Sequence, residues 1–177
     1  MKLKLLLPFL FVIYSCAQDS SIDRDDLIEK AGAPLLNGLG SHSFTISSKV
    51  EGVQDYFNQG LIMAFAFNHA ESIRSFKAAQ KLDPNCAICF WGEALALGPN
   101  INVTSDGKAI MSPQERLDAF KRTNKAIALI ELASPKEKDF ILTLKSRYNG
   151  DVNSSRVPLD IASVSYTHLR AHETSRN

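Results

Sequence analysis

The sequence predicts an all-α protein in which antiparallel helix pairs stack as a solenoid, broken off after its first units. Three observations predict it. Apolar residues between Val53 and Tyr148 recur at helical spacing. Helix start and stop signals punctuate them at Asn68, Pro84, Ser112 and Ser134. Small side chains fall where neighbouring helices would cross. No useful stretch alternates with period two, apart from Phe44-Thr45-Ile46.

Composition narrows the function classes. A chain of 177 residues suits one globular domain, and its net charge of +1 argues against a nucleic-acid grip, which needs clustered Lys and Arg. No run reaches the roughly 18 apolar residues of a spanning helix, so a polytopic membrane protein is excluded. Three cysteines are too few for a disulfide-stapled miniprotein.

Both ends read as lying outside the fold. Lys2 and Lys4 precede an apolar run from Leu5 to Tyr14, the pattern of a secretory signal. It closes on Val12-Ile13-Tyr14-Ser15-Cys16, which resembles a bacterial lipobox. That resemblance implies cleavage before Cys16, acylation of its thiol and amino group, and anchoring to a membrane without spanning it. An ordinary signal peptide cut near Ala17 is the alternative. Residues 16–37 then read as a tether and 38–163 as the helical domain. Residues 164–177 look like a translated sequencing adapter without helical or strand periodicity, so the His168/His172 pair is not read as a metal site. On this division the stretch from Cys16 to Ser163 is mildly acidic, and the domain is truncated and lacks a capping unit. It is therefore expected to be marginally stable on its own.

Within the domain, Val53, Tyr56, Phe57, Gly60, Leu61, Ala64 and Phe65 mark one helix face. Asn68 with Glu71 three residues on predicts a capping box. The second helix carries Ile73, Phe76, Ala79 and Leu82 inward and ends at Asp83-Pro84-Asn85. A third, nearly all apolar, spans Cys86 to Leu97 before Gly98-Pro99-Asn100 and a loop to Met111. Ser112-Pro113-Gln114-Glu115 and Ser134-Pro135-Lys136-Glu137 start two more. Their apolar faces are Leu117, Phe120, Ile127 and Ile130, then Phe140, Ile141, Leu144 and Tyr148.

Gly60, Phe76, Ala79 and Pro84 fit the small-residue, aromatic and terminal-proline pattern of a tetratricopeptide repeat of about 34 residues. Tyr56 takes the aromatic position before the glycine, and Ser72 replaces the usual alanine. Gly60, Ser72 and Ala79 let two backbones approach, while Phe76 fills the remaining gap. Phe90-Trp91 reads as the aromatic start of a following unit. Beyond the generic repeat, Phe57-Asn58-Gln59-Gly60-Leu61, Phe67-Asn68-His69-Ala70-Glu71, the run from Leu82 to Gly92 and Leu97-Gly98-Pro99-Asn100-Ile101-Asn102 carry a closer likeness. Over roughly residues 38–150 the chain resembles the N-terminal part of a family of exported bacterial tetratricopeptide-repeat proteins. The resemblance implies a solenoid scaffold and no particular catalytic activity.

Chemistry is sparse. Cys86-Ala87-Ile88-Cys89 opens a helix, where backbone donors and the helix dipole stabilise thiolates. Three readings stay open: a structural pair, reduced or disulfide-linked; a redox-active pair; or a metal or haem role. Phe90 stands where c-type haem attachment needs His, and the motif lacks a βαβ context. His42 and His69 could join the pair in a metal site only if the fold brought them there. Gly98-Pro99-Asn100-Ile101-Asn102 reads as a helix terminator tied down by Asn side chains, or as a ligand-contacting loop. The expected function is a non-enzymatic, lipid-anchored scaffold of the cell envelope, without cofactor, whose groove takes an unknown protein or peptide. Asn58, Gln59 and Met63 are its candidate groove residues. The rival is an envelope thiol-redox or metal protein using Cys86 and Cys89.

Overall fold

The computed structural model describes residues 23–99 and 111–174, with side chains to Ser165. The secretory and lipid-attachment segment with Cys16, and Asn100-Ile101-Asn102, lie outside the described residues, as do the His168 and His172 side chains. The described residues form seven α-helices and no strand: α1 (Arg24–Ala31), α2 (Val53–Phe65), α3 (His69–Leu82), α4 (Ala87–Leu97), α5 (Pro113–Ala128), α6 (Pro135–Lys145) and α7 (Arg156–Thr174). A 3-10 turn, Ile130–Leu132, separates α5 from α6. The fold is all-α.

Helix boundaries follow local chemistry. Ser112 and Ser134 each accept a hydrogen bond from the backbone three residues on, and Glu115 and Glu137 reciprocate, so α5 and α6 begin with complete capping boxes. At α3 only half of the expected box forms. Asn68 accepts from the Glu71 amide, but the Glu71 carboxylate pairs instead with Arg74 at 3.1 Å. Phe67 breaks α2 from α3 with φ of 60°, a left-handed conformation uncommon for a bulky side chain.

Successive helices run antiparallel. Phe57 of α2 meets Phe76 of α3, Gln59 reaches Ser75, and the Ser72 hydroxyl donates to the Gly60 carbonyl at 2.7 Å, so one helix ascends as its neighbour descends. Phe76 then meets Gly92 of α4 while Gln80 reaches the Cys89 carbonyl at 3.2 Å, and Phe90 and Glu93 of α4 meet Lys125 and Arg122 of α5. An aromatic chain ties these layers together: Phe76, Phe57, Phe44, Phe140 and Trp91 follow one another at centroid spacings of 5.5, 5.9, 5.5 and 5.4 Å. Such tilted and edge-on contacts add to the stabilisation from burial alone.

Several expectations are corrected. The tether over 16–37 is structured from Arg24 onward. Leu27 and Ala31 of α1 and Ala33 beyond it enter the core, and α1 packs on α3. Residues 33–50 form an extended strap over α2, in which Phe44 and Ile46 turn inward and Thr45 outward. Tyr148 lies beyond the end of α6 yet is buried, its hydroxyl donating to the Ala94 carbonyl at 2.8 Å. On α5 the deeply buried row is Ala119, Thr123 and Ala126, whose small side chains let α4 approach, and the larger apolar residues flank it half-buried. Helix α7 continues to Thr174, into the segment read as aperiodic.

Candidate functional site

The repeat-signature residues meet at one place. Phe76 is fully buried, with its ring between two bare backbones. A β-carbon on Gly60 would lie 2.9 Å from the ring, and one on Gly92 closer still. Ala79, on the same helix, is fully buried, and Pro84 stands in the turn between α3 and α4. Sequence reasoning identified Gly60 but passed over Gly92, because a nearly all-apolar helix hides which residue faces the ring.

Two buried carboxylates also escaped notice. Glu93 is 1% exposed; its carboxylate accepts from Gln80 at 2.7 Å and pairs with Arg122 at 3.0 Å and Lys77 at 3.7 Å. Glu137 accepts from the backbone amides of Ser47 (2.8 Å) and Ser134 (2.6 Å) and from the Ser47 hydroxyl. It thereby clips the strap to α6. The burial of Glu93 does not show in sequence, because its partners come from α3 and α5; for Glu137 the Ser134 cap is legible locally but the Ser47 contact is not.

Cys86 and Cys89 are joined as a disulfide across one turn at the start of α4, and both are buried. Cys86 caps the helix rather than beginning it. It also borders a cavity of about 180 Å³ that Ser47, Asp83 and Glu137 help to line. Among the described residues no three His, Cys, Asp or Glu side chains converge on a point that could hold a metal ion, so His42 and His69 do not complete a site with the pair. His69 instead packs against the Phe67 ring with both ring nitrogens buried and unpartnered.

The candidate groove residues on α2 are already in use. Gln59 is buried and bonds the strap at Pro34 and Leu36, while Asn58 bonds it at Phe44 and Ser43. Met63 is half-buried. Beside them lies the larger cavity, about 390 Å³, between α2 and residues 35–43, with Arg24 and Asp55 at its walls. The Arg24 guanidinium donates to the Leu35 carbonyl and to Asn37. Chemically, this region offers hydrogen-bonding amides to a polypeptide backbone. The disulfide offers thiol exchange. No protein-family model matches the chain, and neither the curated proteins nor the solved structures contain a match to it.

Proposed function

We propose that the chain is a non-enzymatic interaction scaffold of the tetratricopeptide type, exported and held at the cell envelope by acyl groups on Cys16. The observation that carries this reading is the Phe76 ring lodged between Gly60 and Gly92, which draws α2, α3 and α4 into one close stack. A step of 34 residues carries Tyr56 to Phe90 and Gly60 to Ala94, all buried, as a repeat of about 34 residues requires. Repeated helix pairs of this kind work as surfaces and bind extended segments of other proteins. The lipobox-like Val12 to Cys16 supports the anchor.

Crosslinking the full chain in native membranes tests the scaffold. The expected result is a stoichiometric protein partner. A monomer without any partner, turning over a small substrate, would overturn it. Fatty-acid labelling that persists in a Cys16→Ser variant would overturn the anchor.

A second reading rests on the disulfide at the N-terminus of α4 beside a cavity. On this reading Cys86 and Cys89 exchange electrons with a partner's dithiol, whose two thiols become a disulfide as this one is reduced. Thiol titration against glutathione buffers separates the readings. A pair reduced only under strongly reducing buffers is structural; one that exchanges within the envelope range favours redox traffic.

A further inference from the structure

Residues 34–46 belong to no helix or strand, yet five of their backbone groups are hydrogen-bonded to side chains of α2. Three carboxamides supply the partners. Gln59 accepts from the Leu36 amide at 2.7 Å and donates to the Pro34 carbonyl at 3.0 Å. Asn58 accepts from the Phe44 amide at 3.1 Å. Gln54 donates to the Phe44 carbonyl at 2.9 Å and accepts from the Ile46 amide at 3.1 Å. An amide side chain offers one donor and one acceptor face, as a neighbouring strand does, so this row reads extended backbone whatever its side chains. Selectivity comes from three positions. Phe44 fits between Phe57 and Phe140 with the Lys136 ammonium 4.3 Å from its ring centroid, Ile46 is buried, and Ser47 is held by Glu137 and Ser134.

Between its pinned ends the strap bows away. Gly38 and Gly40 take φ of 78° and 80°, and a β-carbon on either would meet nothing within 4 Å. Most residues from 36 to 43 are exposed, and the 390 Å³ cavity lies beneath. The span from 36 to 43, mostly exposed and held only at its ends, opens locally more readily than the helices below it, and its opening leaves the Ser43–Ser47 end held by Phe44, Ile46 and the Glu137 clip.

We propose that the α2–α6 groove filled by Ser43–Ser47 is a docking site for an extended segment of a partner protein with the order aromatic, any residue, aliphatic, hydroxyl, and that the chain's own strap is its built-in competitor. The occupant is identified by what the groove already holds: a segment of that chemistry, matched residue by residue. The proposal rests on the scaffold reading and names what the scaffold takes. Tethering gives the strap an effective concentration on the order of millimolar. An incoming segment therefore wins only when the strap is weakened or when it adds contacts in the cavity beneath the bow. Its apparent affinity is the intrinsic one reduced by the fraction of molecules with the strap open.

A fluorescein-labelled peptide of the sequence Ser41–Ser48, followed by anisotropy against the full chain, tests this. Phe44→Ala in the protein weakens the strap and is expected to tighten peptide binding by about tenfold or more over the unsubstituted chain. Adding Gln54→Ala and Asn58→Ala is expected to remove the gain, and a scrambled peptide to show none. Should Phe44→Ala fail to fold, hydrogen exchange on the unsubstituted chain reads the same event. Saturating peptide is expected to speed exchange at the Phe44 and Ile46 amides about tenfold, as for local opening, while the α3 amides stay unchanged. No gain on weakening the strap, a gain that survives loss of the amides, or unchanged exchange overturns the proposal. So does a Phe44→Ala chain that doubles its mass without taking peptide. A partner captured in membranes alongside a failed peptide test would leave the scaffold standing without this groove.

Discussion

Phe76 and Gly92 occupy mutually exclusive space: a β-carbon on Gly92 would overlap the Phe76 ring. The ring cannot retreat, because Gly60 closes it in from the other side at a distance that also excludes a β-carbon. Two opposing effects then decide the outcome of Gly92→Ala. Helix propensity favours alanine by about 1 kcal/mol, and overpacking costs about 1–3 kcal/mol. The expected result is a net loss of stability, read as a lower urea midpoint. In a Phe76→Leu background the same substitution is expected to become neutral or stabilising. A higher midpoint for Gly92→Ala alone would show that the three helices are not closely stacked.

Glu93 and its partners should respond unequally to truncation. Glu93→Ala takes one of two acceptors from the buried Gln80 amide, which keeps the Cys89 carbonyl at 3.2 Å, and removes the counter-charge from Arg122; it is expected to cost about 2–3 kcal/mol. Lys77→Ala removes a side chain that is 56% exposed, so less than about 1 kcal/mol is expected. Chemical denaturation of both variants checks the ranking, and equal losses would contradict it.

Alkaline pH should loosen the contact between Tyr148 and α4. Burial pushes the Tyr148 phenol up to about 12, with Arg147 and Arg156 opposing the shift, and Tyr56 is raised by burial as well. The folded chain therefore keeps a proton that the unfolded chain releases near pH 10. The Tyr148 contribution is fully present below about pH 10 and is lost as pH rises toward 12, amounting to about 2–3 kcal/mol. Urea midpoints measured from pH 8 to pH 11.5 should fall. Tyr148→Phe should reduce that fall while costing about 1 kcal/mol at neutral pH for the lost hydrogen bond.

Reduction of the disulfide should be tolerated. Cys86 and Cys89 are three residues apart, and closing so short a loop restricts the unfolded chain by about 2 kcal/mol at most. Dithiothreitol is expected to lower the urea midpoint modestly and to leave far-UV dichroism intact. Loss of helix on reduction would mean that α4 depends on the bond.

The parts of this fold that were legible in sequence are those written in neighbouring residues. Ser112-Pro113 and Ser134-Pro135 announce α5 and α6 because a cap and its partner lie within one turn. The strap is the opposite case. Its hydrogen bonds come from α2, so nothing near Phe44 signals them, although Gln54 and Asn58 share a face at a spacing of four and Gln59 flanks it. Helix α1 was missed because only Leu27 and Ala31 of its eight residues are deeply buried, too few to set a period. In α4, the run from Ala87 to Ala96 is apolar save for Glu93, so periodicity could not say which face Gly92 presents.

The Ser47–Glu137 clip spans ninety positions of the chain. At ordinary rates of synthesis that separation corresponds to about 5–18 s between the emergence of its two halves. Through that interval the nascent N-terminal arm lacks its latch, and Phe44 lacks the Phe140 side of its niche. The arm is therefore among the first parts made and the last secured, a window in which a chaperone or protease would find it unfastened.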